Sequence, residues 1–119
     1  MTGLLDTNVA LYLLGGRLAE PLPAGNYGVS VVREMEPLAW PSLTSEEEKK
    51  LREFLGQVAI CELTPSIRAR AVQLRKEHHL KLPDAIVCAT VELGVELWTN
   101  DTTIAKVSGL TCRSARLSA

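Results

Sequence analysis

The sequence predicts a single α/β domain built on a mainly parallel sheet of four or five strands. Short apolar runs alternate with helical patterns along the chain, which is typical of parallel strands connected by helices. The length of 119 residues suits one compact domain, and 46% hydrophobic with 23% charged residues is a composition that can form a packed core. The formal net charge of −1 gives no overall basic field, so attraction to a polyanion must come from a local patch or from bound cations.

The first residues predict a strand followed by a short helix. Residues 3–6 form the end of the first strand, and residues 8–14 form an apolar helix that stops at Gly15 and Gly16. Residues 17–26 contain two prolines and a glycine, and we expect them to form a loop.

A second strand and helix follow this loop. Residues 27–29 form the strand, and Ser30 is predicted to N-cap a helix of residues 31–40. Pro37 lies within that helix, where its ring should clash with the carbonyl of Arg33. We therefore expect a kink or an early end at Pro37.

The middle of the chain contains two well-marked helix starts. Thr44 and Glu47 have the spacing of a capping box, and the helix after them has an apolar stripe formed by Leu51, Phe54, Leu55 and Val58. Residues 59–63 form a third strand. Thr64 and Pro65 then predict the N-cap and first turn of the next helix.

The last part of the chain supplies one more long helix and the remaining strands. Residues 80–83 are predicted to be a break, after which Asp84 opens a helix that continues through Leu93 and ends at Gly94. Residues 95–99 form the fourth strand. A short helical turn and a weak last strand complete the domain.

Four acidic residues are predicted to approach one edge of the sheet. Asp6 lies at the end of the first strand, and Asp101 follows the fourth. Asp84 begins a helix, and Glu36 lies in the helix after the second strand. Because open α/β sheets bind ligands at the carboxyl ends of their strands, these side chains could converge on one crevice there.

Gathered carboxylates suit a hard divalent cation, which prefers oxygen ligands and offsets the repulsion among the acids. Such an ion makes a bound water more acidic and stabilises charge on a phosphate, so phosphodiester hydrolysis is the natural reaction. Each acid also has a structural alternative. Asp6 and Asp84 could cap helices, Asp101 could belong to a turn, and Glu36 could be solvated surface. Spacing alone leaves both interpretations open.

Four segments of the chain, in this order, resemble the sequence motifs of PIN domains. They are Leu4-Leu5-Asp6-Thr7-Asn8, Ser30-Val31-Val32-Arg33-Glu34-Met35-Glu36, Leu82-Pro83-Asp84-Ala85-Ile86-Val87 and Leu97-Trp98-Thr99-Asn100-Asp101. Connecting segments such as Pro41-Ser42-Leu43-Thr44 are similar to those of VapC-type toxins, so the resemblance covers nearly the whole chain.

The resemblance implies a PIN-like three-layer α/β/α domain over residues 1–119, acting as a Mg²⁺- or Mn²⁺-dependent endoribonuclease of a toxin–antitoxin pair. It also implies a homodimer and a small antitoxin whose tail enters the active-site groove. The matching metal-site residues are Asp6, Glu36 and Asp84, with Asp101 at a more variable fourth position. Asn8 and Thr99 match positions that support the site, although both also have structural alternatives in a turn and a strand end.

The sequence departs from the family pattern within the second motif. Glu34 precedes Glu36 by two residues, so a bend at Pro37 could turn Glu34 toward the metal instead; the spacing from Ser30 favours Glu36. Arg33 stands where the family commonly has a small hydroxyl residue. Its cation could pair with Glu34 or reach a phosphate.

Other residues have weaker functional interpretations. A basic stretch before the third motif could steer RNA or meet an acidic antitoxin, but a solvated helix face is the commoner use of such a run; it comprises Arg68, Arg70, Arg75, Lys76, His78, His79 and Lys81. Adjacent histidines on a helix point about 100° apart and make a poor joint metal site. Trp40 and Trp98 could stack on bases, but packing is the commoner use of tryptophan.

The cysteines and the hydrophobic pattern indicate the cellular compartment. Cys61, Cys88 and Cys112 fit reduced, buried thiols better than disulfides or a zinc site. No basic leader with an apolar core and no apolar run near ~18 residues is evident, so we expect a cytoplasmic protein without a membrane segment.

Two rival functions remain to be weighed. A phosphoacceptor receiver domain would need paired early acids, a central aspartate and a late lysine, and this order is absent. A non-catalytic interaction module on the PIN scaffold is the second rival.

Overall fold

A computed structural model of the chain describes residues 1–91, 95–107 and 110–117. Its sheet has five strands, all parallel, in the order β3-β2-β1-β4-β5. The strands are β1 Gly3–Leu5, β2 Tyr27–Ser30, β3 Ala59–Cys61, β4 Glu96–Trp98 and β5 Cys112–Arg113. The predicted parallel α/β sheet is therefore confirmed, at the larger of the two expected strand numbers.

Six helices connect or follow the strands in the described residues: α1 Thr7–Leu14, α2 Val31–Leu38, α3 Ser45–Leu55, α4 Pro65–His78, α5 Leu82–Thr90 and α6 Thr102–Ala105. The longest, α4, has 14 residues. Within the described ranges, no helix combines the length and the apolar character that crossing a membrane requires.

Apolar side chains cover both faces of the sheet. Successive residues of a strand point to opposite faces, and Leu4 packs into one hydrophobic cluster while Leu5 packs into the other. The first cluster includes Ala71 of α4 and Val87 of α5. The second includes Val9 of α1, with α3 side chains against it. Helices thus lie on both sides of the sheet, and the expected three-layer arrangement is confirmed.

The helix that contains Pro37 ends early, as its sequence predicts. Helix α2 ends at Leu38, one residue after the proline, and Ala39 is its C-cap. Ser30 has the extended backbone of an N-cap, but its side chain makes no capping hydrogen bond, and its Oγ is buried without a partner among the described residues. Ser30 is therefore the N-cap residue, as predicted, but without a hydrogen bond from its side chain.

The start of α5 also differs from the prediction. The helix begins at Leu82 rather than Asp84, with Lys81 as its N-cap. Pro83 is compatible with the first turn, because its fixed φ suits a helix and its missing N–H is not needed there. Asp84 thus lies within the first turn instead of capping it. The described helix ends at Thr90, and the predicted end at residues 93 and 94 lies outside the described residues.

The two helix starts in the middle of the chain form as predicted, whereas two of the strands are shorter. Thr44 accepts a hydrogen bond from Glu47 N, and Glu47 accepts one from Thr44 N, as the capping box predicts. Thr64 caps α4 through a hydrogen bond from Ile67 N, with Pro65 in the first turn. The third and fourth strands are shorter than predicted, ending at Cys61 and Trp98.

Candidate active site

The four predicted acids line one groove. Strands β2, β1 and β4 are neighbours in the sheet, so the segments that follow them emerge at the same edge. The groove has a volume of about 410 Å³, and its lining includes Asp6, Asn8, Arg33, Glu36, Trp40, Lys81, Asp84 and Asp101.

Asp6 is the most buried of these acids. It follows β1 directly, caps α1 and is only 4% exposed. Its Oδ1 accepts a hydrogen bond of 3.0 Å from Thr7 N, and its Oδ2 accepts one of 2.7 Å from the hydroxyl of Thr99. The carboxylate therefore has a structural capping role as well as a position in the groove.

Thr99 connects Asp6 to the backbone of Asp101. The Thr99 hydroxyl donates to Asp6 and accepts a 3.0 Å hydrogen bond from Asp101 N. Asp101 is the N-cap of α6, where its Oδ1 accepts from the amides of Thr103 and Ile104 at 2.8 and 3.3 Å. The structure thus brings Thr99 into direct contact with the acid it was expected to support.

Arg33 lies in the middle of the acids. Its Nη1 donates to Glu36 Oε1 at 2.7 Å, and its Nη2 donates to Asp84 Oδ1 at 2.6 Å. Its Nε lies 2.7 Å from Asp6 Oδ1. This contact does not have the geometry of a hydrogen bond, so it is an ion pair alone. The side chain of Arg33 is only 9% exposed.

The cluster is more acidic than its single arginine can balance. Burial lowers the pKa of Arg33, but the charge of Asp6 and the hydrogen bonds to Glu36 and Asp84 together raise it above its ordinary value. The guanidinium is therefore always charged. Three carboxylates face this one cation, which leaves a formal excess of two negative charges.

The partner of Arg33 on its own helix is Glu36, three residues ahead. Pairing with Glu34 was one of the two alternatives that the sequence left open for this cation, and the contacts of Arg33 among the described residues do not include it. Glu36 lines the groove, with its side chain 39% exposed. The i, i+3 spacing of Arg33 and Glu36 is a signal that could have identified this pair from the sequence. No local signal points to the contacts with Asp6 and Asp84.

The acids fit a divalent ion in their chemistry, but not in their present spacing. Four carboxylates around one groove are the hard oxygen ligands that Mg²⁺ and Mn²⁺ prefer. In the described part of the chain, however, no three acidic, histidine or cysteine side chains are close enough to bind one ion together. The cation between the acids is the guanidinium of Arg33.

The other sequence candidates lie in different surroundings. Lys81 lines the groove, whereas Arg75 donates to the carbonyl of Leu80 at 2.7 Å. His79 is the C-cap of α4 in a left-handed conformation. Trp40 is 46% exposed at the groove, while Trp98 is buried beneath the guanidinium of Arg113.

Asn8 and the three cysteines are the remaining sequence candidates. Asn8 lines the groove, and its Oδ1 is buried without a hydrogen-bond partner among the described residues. All three cysteines are free thiols, as predicted, but Cys61 and Cys112 are half-buried and only Cys88 is fully buried.

A comparison of the sequence with models of protein families shows which family the chain belongs to. The family model described as "PIN domain" matches residues 3–110. The chain belongs to the PIN domain family. The match includes all four acids of this PIN domain and its five strands except the last, and it agrees with the resemblance of the motifs. A comparison with curated proteins finds no match.

Solved structures with the same fold include toxin–antitoxin complexes. A chain of a toxin–antitoxin complex from Klebsiella pneumoniae is 32% identical, with a TM-score of 0.78 over 92% of this PIN domain and 95% of that chain. VapBC2 from Rickettsia felis, bound to a promoter DNA fragment, is 17% identical, with a TM-score of 0.76 over 96% and 98% of the two chains. DNA-bound VapBC from Salmonella typhimurium is 16% identical, with the same TM-score and coverage. The last two likenesses show the shared fold.

Proposed function

We propose that this PIN domain is a VapC-type toxin that hydrolyses RNA phosphodiester bonds with Mg²⁺ or Mn²⁺. The observation that carries the proposal is the set of four carboxylates lining one groove of a PIN domain. The 32% identity to a chain of a toxin–antitoxin complex supports the toxin assignment. Phosphate ester hydrolysis is the chemistry that clustered carboxylates and a hard cation serve best.

Each acid has a proposed part in the site. Asp6, Glu36 and Asp84 would hold the ion, and Asp101 would complete the site or orient water. A divalent ion held there would neutralise charge on the phosphate and make water a better nucleophile. Thr99 fixes the Asp6 carboxylate through its 2.7 Å hydrogen bond, and Asn8 is a further support at the groove wall.

Two other side chains of the groove suit RNA. Lys81 carries a positive charge at the N-terminal end of α5, where it can attract a phosphate of the substrate. Trp40 presents an exposed indole to the same groove, and an aromatic face can stack on an unpaired base. We assign both to substrate binding rather than to bond cleavage.

The proposal includes partners and a compartment. A small antitoxin would neutralise the toxin by entering the groove, and the toxin would act as a homodimer in the cytoplasm, where its RNA substrates are. The support for an antitoxin is the toxin–antitoxin complex to which the Klebsiella pneumoniae relative belongs.

The test is metal-dependent cleavage of RNA by the purified chain, freed of any partner. We expect cutting with Mg²⁺ or Mn²⁺, none with EDTA, and loss of activity in Asp6→Asn and Asp84→Asn. Glu46→Gln is a matched control, because Glu46 is an acid on α3 with its side chain 83% exposed. Cutting that survives EDTA or either aspartate substitution would overturn the proposal.

A second candidate is a PIN scaffold that binds partners without cutting RNA. The pairing of Arg33 with three of the acids favours it, since these contacts occupy the carboxylates that an ion would need. This candidate predicts an intact interaction with an antitoxin and no divalent-ion binding in calorimetry. Saturable Mn²⁺ binding would exclude it.

A further inference from the structure

Arg33 is in the position that the proposed function assigns to a metal ion. Its guanidinium is within 2.6–2.7 Å of oxygens on three acids, and they are the three proposed to hold the ion. We propose that Arg33 is an internal cation that competes with the divalent ion for these carboxylates, so that the ion binds only after the guanidinium leaves. This inference rests on the proposed metal site and concerns its regulation.

The shape of the guanidinium explains why the two cations exclude each other. Each of its three nitrogens faces a different acid, so the carboxylates surround it. With a C–N bond of ~1.33 Å and nitrogen–oxygen contacts of 2.6–2.7 Å, each oxygen is at most about 4 Å from the central carbon. An ion bound by the three acids needs oxygens at ~2.1 Å. The acids must therefore approach one another into the space that Arg33 fills.

Charge favours the exchange when divalent ions are present. One guanidinium leaves two of the three negative charges unbalanced, whereas one divalent ion would leave a single charge unbalanced. Without the ion, Arg33 stabilises acids that would otherwise repel one another at close range. The arginine thus holds the three acids together when no ion is bound, and the divalent ion is the stronger counter-charge.

The contacts of Arg33 also permit its release. Its Nε contact with Asp6 is an ion pair without a hydrogen-bonding angle, and the Glu36 side chain is 39% exposed, so water can replace that partner. The guanidinium also stands at the end of a long side chain with many accessible rotamers. Moving it into the open groove therefore requires a side-chain rotation and no change of the fold.

The first test measures Mn²⁺ binding to the full chain by calorimetry. If the arginine-released form is a tenth of the molecules or fewer, Arg33→Gln should bind Mn²⁺ at least about tenfold more tightly than the unsubstituted chain. Arg52→Gln is the matched control, because it removes the same charge from the exposed face of α3 and should leave the affinity unchanged. Arg33→Lys lacks the planar guanidinium and should also bind Mn²⁺ more tightly than the unsubstituted chain. This variant provides the same test if Arg33→Gln fails to fold.

The second test follows Arg33 itself in the unsubstituted protein. The Nε–H resonance of Arg33, assigned by its loss in Arg33→Lys, should be protected from solvent exchange without metal and should lose that protection as Mg²⁺ saturates the site. An Arg33 resonance unchanged by saturating Mg²⁺, or equal Mn²⁺ affinities for all variants, would overturn the inference. If those results accompany metal-dependent RNA cleavage, the proposed function stands and only the competition fails. If no variant binds Mn²⁺, the metal site and the competition both fail.

Discussion

Thr99 donates a 2.7 Å hydrogen bond from its buried hydroxyl to Oδ2 of Asp6, although 93 residues separate the two along the chain. The same hydroxyl accepts from the amide of Asp101. One oxygen atom therefore fixes the orientation of one acid of the candidate site and the backbone of another.

Replacing Thr99 by valine keeps the shape of the side chain and removes this hydroxyl. This change removes a hydrogen-bond partner from Asp6 Oδ2 and another from the Asp101 amide, and little water can reach these groups to replace them. We therefore expect the free energy of unfolding to fall by about 1–3 kcal/mol. RNA cleavage should fall by about 10- to 100-fold, as for other supporting partners of metal ligands. Urea unfolding and initial cleavage rates measure the two effects. Thr99→Ser retains the hydroxyl, so its activity should stay near that of the unsubstituted chain; an equal loss in both variants would contradict the role given to the hydrogen bond.

Glu34 and Glu36 form a matched pair on α2 that tests the choice between them. Glu36 lines the groove and accepts from Arg33, so Glu36→Gln should reduce cleavage by more than the ~10- to 100-fold cost of losing an outer partner. Glu34→Gln should leave the cleavage rate within about twofold, because Glu34 is not among the residues that line the groove. The same substitution two residues apart controls for charge and helix position. A larger effect at Glu34 would mean that the bend at Pro37 directs that acid to the site.

Lys81 should affect substrate binding more than chemistry. Lys81→Gln removes a positive charge from the groove, and we expect KM to rise several-fold while kcat changes little. The slope of log binding against log salt should become shallower by ~0.7, the value for one phosphate contact with a single strand. Lys49→Gln, on exposed α3, is the control. A change in kcat with constant KM would show that Lys81 acts in the cleavage step.

Cys88 predicts a stability change at alkaline pH. Burial is the largest cause that raises the pKa of its thiol to about 12, with the charges of Cys112, Asp84 and Asp6 adding to it and Arg33 opposing it. Because the pKa in the folded state is above the unfolded value near 9.0, the stabilisation is complete below that value and declines as the pH rises toward 12. By about pH 10 the folded state should lose roughly 1 kcal/mol from this group.

The measurement is chemical unfolding at about pH 8 and about pH 10 for the unsubstituted chain and Cys88→Ala. The unsubstituted chain should lose more stability between the two conditions than the alanine variant. Parallel curves would mean that the thiolate forms as easily in the folded protein as in the unfolded chain.

The sequence predicted those features that depend on neighbouring residues or on strand order. The Thr44 and Glu47 capping box needs only four residues, and it forms as expected. The convergence of Asp6 and Asp101 follows from the parallel sheet, since the strands before them are neighbours. Helix α5 begins at Leu82, two residues before the predicted start. The prediction was wrong because it treated Pro83 as part of a break, although a proline is favourable in the first turn of a helix.

The surroundings of Arg33 could be predicted only in part. Its partner Glu36 is on the same helix and has the right spacing, but Asp84 is 51 residues further along the chain. The hydrophobic periodicity of the sequence does not indicate how α2 and α5 pack against each other. The ion pairs of Arg33 depend on that packing, so a single sequence cannot define them.

The hydrogen bond between Thr99 and Asp6 joins two residues that are 93 positions apart along the chain, and this has a consequence during synthesis. A nascent chain still lacking β4 has Asp6, Glu36 and Asp84 but neither the threonine that orients Asp6 nor Asp101. An emerging polypeptide therefore has an incomplete candidate site while it is still attached to the ribosome, which matters for the RNA cleavage proposed above. The order of residues along the chain delays assembly of the site until β4 and the residues directly after it have been translated.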